Sequence, residues 1–515
     1  MIENHYILSS LPLLASVLGR KYGVQVRMGG NEAFTNGQII TLPSLPSSGD
    51  DALLGLVRGF IDHESAHIRY TDFSVLKGEI TPLEKHIWNS LEDWRVENKL
   101  AEIFPGCRQN FIWLIKHLFL TKKDKIPTHS AHQVLNWILL QVRCWDVPKL
   151  SAPLQKYTLL IETEFAGLTF RIGQVLKKAH NKCPDSRACM VYAKQIVSIL
   201  KGMTCDIPNG SSYDESDPTE KELNCSESQK EQLRKLLNIP NHELPADMRQ
   251  SLKRSLEMES HKTEEGLSVA TVAKRKHSKL NHEEIVEIRA TTNLLRTRLY
   301  SLLQATVLSR RHPARHGRLD HKNLNRAFTG NPKLFLKNAP SPKMSTAVHI
   351  LIDCSGSMRR RITIASQSCY ALASALKVAG INVAVTAFPA VYRDGQPYQT
   401  VTPVIKHGEG IHNRFKLSAS GQTPLGEALW WAMQQMVPLR ETRRLILTIT
   451  DGVPDSIPTA KQAFETGRNA GFEFYGLGIM SPAIDSMPFD HCKNINHVNE
   501  LALSMFEMLQ QALIK

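Results

Sequence analysis

The stretch AVHILIDCSGSM, Ala347 to Met358, decides how this chain reads. An apolar, β-rich run from Ala347 to Ile352 ends on Asp353, and Ser355 and Ser357 follow at alternate positions. A second run of the same kind, Leu445 to Thr450 (LILTIT), leads directly into Asp451 within TITDGVPD. Between the two, Thr423 stands in GQTPLGEAL, at the head of an apolar helical pattern. In an open parallel sheet both runs deliver their last residues to one C-terminal edge, the edge at which such folds bind ligands. Asp353, Ser355, Ser357, Thr423 and Asp451 then offer two carboxylates and three hydroxyls. These are hard oxygen ligands, suited to an octahedral Mg²⁺ or Mn²⁺ that keeps some of its waters.

From Ala347 onward strand and helix patterns alternate. Strands are expected at 347–353, 381–388, 400–406, 444–450 and 472–478, and helices at 360–379, 424–437, 458–470 and 497–513. Such alternation implies an α/β, Rossmann-like parallel sheet covered on both faces. The five positions, in this order and context, resemble the metal-ion-dependent adhesion site (MIDAS) of von Willebrand factor A (VWA) domains. The resemblance spans about 345–515. It implies that Ser355, Ser357 and Thr423 approach a bound Mg²⁺ while Asp353 and Asp451 supply negative charge, partly through water. An open position then takes a carboxylate from an acidic protein client or partner.

The rest of the chain is organised differently. At 515 residues it should hold two or three domains. No run of eighteen apolar residues occurs, so no membrane span is expected. The N-terminus lacks a basic segment and a cleavage site, so no signal peptide is read. Nine cysteines without framework spacing suit reduced thiols and a cytoplasmic setting. Cys183 and Cys189 are too widely spaced for a CxxC zinc site. The formal net charge of +14 favours acidic partners. Its strongest cluster, Ser309 to Lys322, lacks interleaved aromatics, so nucleic acid is possible as a partner but not favoured.

Upstream, Val24 to Leu42 reads as two short strands joined by Gly-Gly-Asn and Asn-Gly turn chemistry, a small β hairpin. Helices follow through Leu200. Residues 1–205 form a mostly α domain. Residues 206–280 read as an acidic, charged linker, partly disordered, with 208–231 nearly free of apolar residues and the charged sequence beyond, to about Leu280, helical in part. Residues 281–344 are helical and basic, and 345–515 are the α/β domain.

The first helical region carries a second constellation, His63-Glu64-Ser65-Ala66-His67. HExxH puts two imidazoles on one helical face, where they can share a Zn²⁺, with Glu64 placed as general base toward a metal-bound water. The next helix offers NSLEDWRVE, in which Asn89, Glu92, Asp93 and Glu97 are read as one acidic face. The arrangement resembles gluzincin-type metallopeptidases. That resemblance places the third zinc ligand at Glu92, with Asp93 orienting a ligating histidine. Asp93 and Glu97 are the next candidates for the third ligand.

Gly317 to Lys337 (GRLDHKNLNRAFTGNPKLFLK), leading into DCSGSM, together with EDWRVE, resembles the A-domain-bearing subunit of aerobic cobaltochelatase and its relatives. The resemblance is good over about 285–515. It implies a MoxR-type AAA+ ATPase partner, and because the chain has no GxxxxGK[ST] loop, ATP use would reside in that partner. The expected function is a metal-dependent adaptor. The alternatives are a zinc-dependent peptidase and a cobaltochelatase-like subunit in metal insertion into a tetrapyrrole.

Overall fold

The computed structural model describes residues 10–46, 51–121, 130–204, 226–260, 266–273, 278–290, 293, 297, 311–321, 332–338, 345–389, 399–497 and 500–514. The acidic stretch expected to be disordered lies outside the described residues up to 225. So does most of the helical pattern expected up to Leu308, and part of the basic run Ser309–Lys322. The chain divides into two compact units, one essentially Ala15–Gly266 and the other Leu267–Lys515 with Ser9–Leu14. Among the described residues no helix is long and apolar enough to cross a membrane.

The first unit is mostly helical. After a helix at Leu11–Tyr22 come β1 (Gln25–Met28), β2 (Phe34–Thr35) and β3 (Ile39–Leu42). The expected hairpin is present only as β2 against β3, closed by Asn36, whose side chain accepts from the Gln38 and Ile39 amides. β1 instead runs parallel to β3, after a turn in which Gly30 has φ +76°. That conformation suits glycine, which lacks the Cβ that would clash.

Two helices then carry the polar residues of interest. α1 (Asp51–Tyr70) buries Leu53, Leu54, Leu56, Val57, Phe60 and Ile61 at helical spacing. α2 (Pro82–Ile103) starts in a capping box: Thr81 accepts from the Glu84 amide, Glu84 accepts from the Thr81 amide, and Pro82 fills the first turn. α3 (Pro105–Leu120), α4 (Ser130–Cys144), α5 (Ser151–Glu164), α6 (Leu168–Asn181) and α7 (Ser186–Gly202) follow, and α2 packs against α1, α3, α4 and α7. α8 (Glu227–Leu237) and α9 (Met248–Ser260) fall where a charged linker is expected from sequence. They fold onto the first unit because sparse apolar residues, Leu233, Leu236, Met248, Leu252 and Leu256, all become buried. The boundary between the units falls at Gly266/Leu267.

The second unit centres on a seven-stranded sheet of order β13-β12-β11-β8-β9-β10-β4. Its strands are β4 (Thr271–Val272), β8 (Thr346–Asp353), β9 (Asn382–Phe388), β10 (Thr400–Ile405), β11 (Arg443–Thr450), β12 (Phe472–Ile479) and β13 (His491–Ile495). A separate three-stranded sheet holds β5 (Arg311–Ala314), β6 (Arg318–Leu319) and β7 (Phe335–Asn338). β8 is buried at every residue and pairs in parallel with β11 and β9, as a strand covered on both faces must. The large sheet is not wholly parallel: β10 runs antiparallel to β9. Two-residue β4 and the mostly exposed β13 are too weakly patterned to be read as strands from sequence.

α10 (Ile362–Val378) and α13 (Leu501–Ile514) share one core with Val348, Ile350 and Ile352. α11 (Leu425–Met436) and α12 (Ile457–Asn469) pack closely together, so that a Cβ on Gly426 would meet the Ala460 backbone nitrogen at 2.9 Å.

Candidate metal centres

The second unit brings the five oxygen-bearing residues together at one sheet edge. Asp353 is the last residue of β8, and Asp451 follows the last residue of the neighbouring parallel strand β11. The serine loop turns on Asp353, whose Oδ1 accepts from the Ser355 amide at 2.7 Å, while Oδ2 accepts from Thr450 Oγ1 at 2.6 Å. Ser355 Oγ lies 3.0 Å from Ser357 Oγ, and Ser357 Oγ donates to Asp451 Oδ1 at 2.6 Å.

Thr423 comes from a loop bonded to this one. The Ser420 amide donates to the Cys354 carbonyl at 2.7 Å, and the Gly356 amide donates to the Gly421 carbonyl at 3.0 Å. Asp455 fixes Thr423 from the other side. Its Oδ1 accepts from the Thr423 amide at 2.9 Å, and its own amide donates to the Thr423 carbonyl at 3.0 Å.

The space beside Gly452 tests whether a cation fits. A Cβ on Gly452 would stand 3.4 Å from Thr423 Oγ1, 3.9 Å from Ser357 Oγ and 4.0 Å from Asp353 Oδ2. Three segments thus aim oxygens at one small space that the missing side chain leaves open. Burial pushes the Asp353 carboxyl up to about 6, against the bonds from Thr450 and Ser355 and with help from the Asp451 charge. A buried carboxylate of this kind calls for a cation. The donor set, all hard oxygen, fits Mg²⁺ or Mn²⁺.

Sequence reading missed two neighbours of this group. Asp455 lies in the same DGVPD run as Asp451, and that proximity was the available signal. Arg361, in the run Arg359-Arg360-Arg361, donates through Nη1 to Asp451 Oδ2 at 2.5 Å. Nothing local in the sequence marks that contact.

The first unit holds the other cluster. Among the described residues, His63, His67 and Asp93 form a group able to hold a metal, with one ligand atom from each lying within 4.8 Å of the others. His63 is fully buried; its Nδ1 donates to Glu97 Oε1 at 2.9 Å, while its Nε2 is buried without a partner. His67 Nε2 lies 3.1 Å from Asp93 Oδ1, and its Nδ1 lies 2.9 Å from Thr71 Oγ1. Arg143 of α4, fully buried, donates to Glu97 Oε2 at 2.6 Å and to Asp93 Oδ2 at 3.2 Å.

Charge sets the protonation of this group. Burial works against the His63 imidazolium, but the Glu97 bond and the charges of Asp93, Glu97 and Glu64 outweigh it and raise its pKa. Burial likewise opposes the charged form of Asp93. The His67 bond and the charges of His63, His67 and Arg143 win, holding its carboxyl well below the usual range. A buried imidazole nitrogen with no partner, beside a second imidazole and an ionised carboxylate, is a donor set that fits Zn²⁺. Glu97 and Thr71 bond the opposite ring nitrogens, as groups that fix the orientation of ligating histidines do.

Glu92 and Glu64 sit elsewhere than the sequence reading expects. Glu92 is buried away from the histidines: Arg95 donates to it at 2.9 and 2.5 Å, and Ser186 Oγ donates to it at 2.7 Å. Successive helical residues project about 100° apart, so Glu92 and Asp93 cannot serve the same partner equally. Asp93 and Glu97, four apart, share the face toward the histidines. Asn89 turns to Asp247. Glu64, fully buried, is bonded through both oxygens by Arg249 of α9, at 2.7 and 3.2 Å.

A family model described as "Cobalamin biosynthesis protein CobT" matches residues 10–279. A second, for the CobT VWA domain, matches 334–414. No curated protein matches the chain. Among solved structures, proximal thread matrix protein 1 from the mussel byssus is 14% identical over 33% of this chain and 46% of its own, with a TM-score of 0.27. The pilus adhesin SpaC from Lactobacillus rhamnosus GG is 14% identical over 33% of this chain and 30% of its own, with a TM-score of 0.28. The manganese-loaded TRAP protein of Plasmodium vivax is 18% identical over 34% of this chain and 73% of its own, with a TM-score of 0.23. The chain thus spans less than half the length of the first two.

Proposed function

This chain belongs to the CobT family of cobalamin biosynthesis proteins, and from that premise we propose that it is the adaptor subunit of a cobaltochelatase-type complex. In this reading it joins a MoxR-type AAA+ ATPase through a divalent cation held by Asp353, Ser355, Ser357, Thr423 and Asp451. Cobalt and the tetrapyrrole are the complex's substrates. The observation that carries the reading is the convergence of Thr423, Ser357 and Asp353 oxygens beside Gly452. A bound Mg²⁺ or Mn²⁺ would supply an open coordination position for a partner carboxylate. The protein's own groups set the charge there. Asp353 and Asp451 contribute two negative charges, and Arg361 cancels one of them through its bond to Asp451. With a dication the centre is net positive, which favours an acidic ligand.

The test is capture of the ATPase by the tagged full-length chain, comparing the wild type with Ser357→Ala in the same buffer. Ser357 is exposed, so its loss leaves the core untouched. Capture should fall in the variant, and undiminished capture would reject the cation bridge.

Arg361 gives a separate expectation. Its side chain is 25% exposed and pairs with a ligand carboxylate. Arg361→Gln should tighten Mn²⁺ binding by about 1 kcal/mol, roughly fivefold, because a repelling charge is removed. Arg361→Lys should stay near the wild type. Titration of Mn²⁺ by its paramagnetic resonance signal measures this, and a weaker site in the Gln variant would contradict the charge argument.

In the first unit we place a Zn²⁺ on His63, His67 and Asp93, with Glu92 outside the ligand set. The unpartnered His63 Nε2 supports this second site. The two hydrogen bonds that Arg249 donates to Glu64 engage both of its oxygens, which favours a structural ion over a hydrolytic one, since a general base must be free to reach the water it activates. His63→Ala and Asp93→Ala should lose zinc, whereas Glu92→Ala and Glu64→Gln should retain it. Elemental analysis of the purified variants decides. Zinc lost with Glu92 but kept with Asp93 would restore the ligand set expected from sequence.

A further inference from the structure

Cys183 and Cys189 lie outside both metal centres, in the turn and first helical turn that join α6 to α7. Six positions apart, they hold their sulfurs 2.9 Å from one another. Cys183 is half-buried and Cys189 fully buried, so one thiol is open to small reagents and the other is shielded. The segment between them is pinned nearly residue by residue. Lys99 Nζ donates to the Pro184 carbonyl at 2.7 Å, Asp185 accepts from the Ala188 amide at 2.8 Å, and Trp88 Nε1 donates to the Ser186 carbonyl at 3.0 Å. Tyr192 closes the loop by donating to the Lys182 carbonyl at 2.9 Å. The juxtaposition of the two sulfurs is therefore set by the fold and not by a free chain end.

The local charges make the two thiols unequal. A hydrogen bond from Cys189 lowers the Cys183 pKa, and the Arg95 guanidinium adds to that. The shared bond, burial and the Glu92 charge raise Cys189. An accessible thiol biased toward thiolate, facing a shielded thiol that stays protonated, is the arrangement in which one sulfur attacks and the other resolves. Closing from 2.9 Å to a bonded S–S distance of about 2.05 Å needs only a small shift.

We propose that Cys183 and Cys189 are a redox-active pair that peroxide converts to an intramolecular disulfide. The Cys183 thiolate attacks one peroxide oxygen, the O–O bond breaks, and the departing hydroxide takes a proton to leave as water. Cys183 is then a sulfenic acid. The Cys189 sulfur attacks that sulfur, the S–S bond forms, the S–O bond breaks, and a second water leaves with the Cys189 proton. The two thiols lose two electrons in all, and hydrogen peroxide is reduced to two waters. A small-molecule dithiol reverses the change by exchange.

The sequence supplies a direct readout. Trypsin cuts after Lys182, Arg187 and Lys194, so the two cysteines fall on different peptides, CPDSR and ACMVYAK. The reduced full-length protein is treated with hydrogen peroxide near stoichiometry, remaining thiols are alkylated, and peptides are mapped by mass. The expected product is these two peptides joined with loss of two hydrogens, at a dose that leaves exposed Cys492 alkylated. Dithiothreitol should restore both free thiols, and Cys183→Ser should abolish the linked species. In Cys189→Ser, Cys183 should stop as a sulfenic acid that dimedone traps. Two separately alkylated peptides at that dose would overturn the proposal. So would a cross-link from either cysteine to another, or oxidation of Cys183 past sulfenic acid with no link formed in the wild type.

Discussion

Arg143→Met is expected to destabilise the first unit by about 3–5 kcal/mol, the cost of stranding buried charges that lose their partner. Arg143 is fully buried and donates to Glu97 at 2.6 Å and to Asp93 at 3.2 Å, and both carboxylates are themselves buried. Methionine fills much of the same volume but leaves two carboxylates facing only the histidines. Urea unfolding followed by tryptophan fluorescence should show the midpoint falling by about 1–2 M for a unit of this size. Adding Glu97→Gln to Arg143→Met should recover part of the loss, because one stranded charge is removed with it. Excess Zn²⁺ should also recover part, since a ligand that binds only the folded state stabilises it. A fall in stability below about 1 kcal/mol would mean that the guanidinium and carboxylates are solvated and that the cluster is not a buried network.

The second large effect is expected on binding, with little effect on stability. Asp353→Ala should weaken Mn²⁺ binding by more than about a hundredfold, since even groups that only orient a ligand commonly account for 10–100-fold. The folded state should tolerate the change within about 1 kcal/mol. Burial already disfavours the Asp353 charge, which offsets the two bonds lost from Thr450 and the Ser355 amide. Calorimetric titration with Mn²⁺, beside urea unfolding of the same preparation, separates the two quantities. Loss of binding together with a collapse of the fold would make Asp353 a structural residue first.

The α/β unit was legible in sequence wherever the signal is local. β8 and β11 are apolar runs that end on carboxylates, and strand-end chemistry travels with the strand. The antiparallel β10 was not legible, because direction depends on how the strand meets β9, with Thr402 opposite Ala387, and not on any residue within the strand. For the α8 and α9 segment partial helix was legible, but its docking onto the first unit was not, for a different reason. A few buried leucines suffice to dock a charged helix once a surface exists to receive them. At the cluster of His63, His67 and Asp93, HESAH fixes both imidazoles by helical spacing alone. The choice between Glu92 and Asp93 depends on helix rotation, which long-range partners set: Ser186 is 94 positions from Glu92, and Arg143 is 50 from Asp93. Arg361 and Arg249 were missed on the same ground. Each is an ordinary surface-type arginine until the fold brings it 90 or 185 residues along the chain to a buried carboxylate.

The central claim is that a cation at the edge of β8 and β11 joins this chain to an ATPase partner. The most direct measurement is the affinity of the AAA+ ATPase for the full-length chain at constant Mg²⁺ and ATP, in wild type and in Asp353→Ala. Holding Mg²⁺ constant keeps the partner's own nucleotide site filled, so only this chain's centre differs. The account predicts saturable binding by the wild type and at least a tenfold loss, about 1.4 kcal/mol, in the variant. Equal affinity in the two proteins, with the variant shown to be folded and free of Mn²⁺, would contradict it.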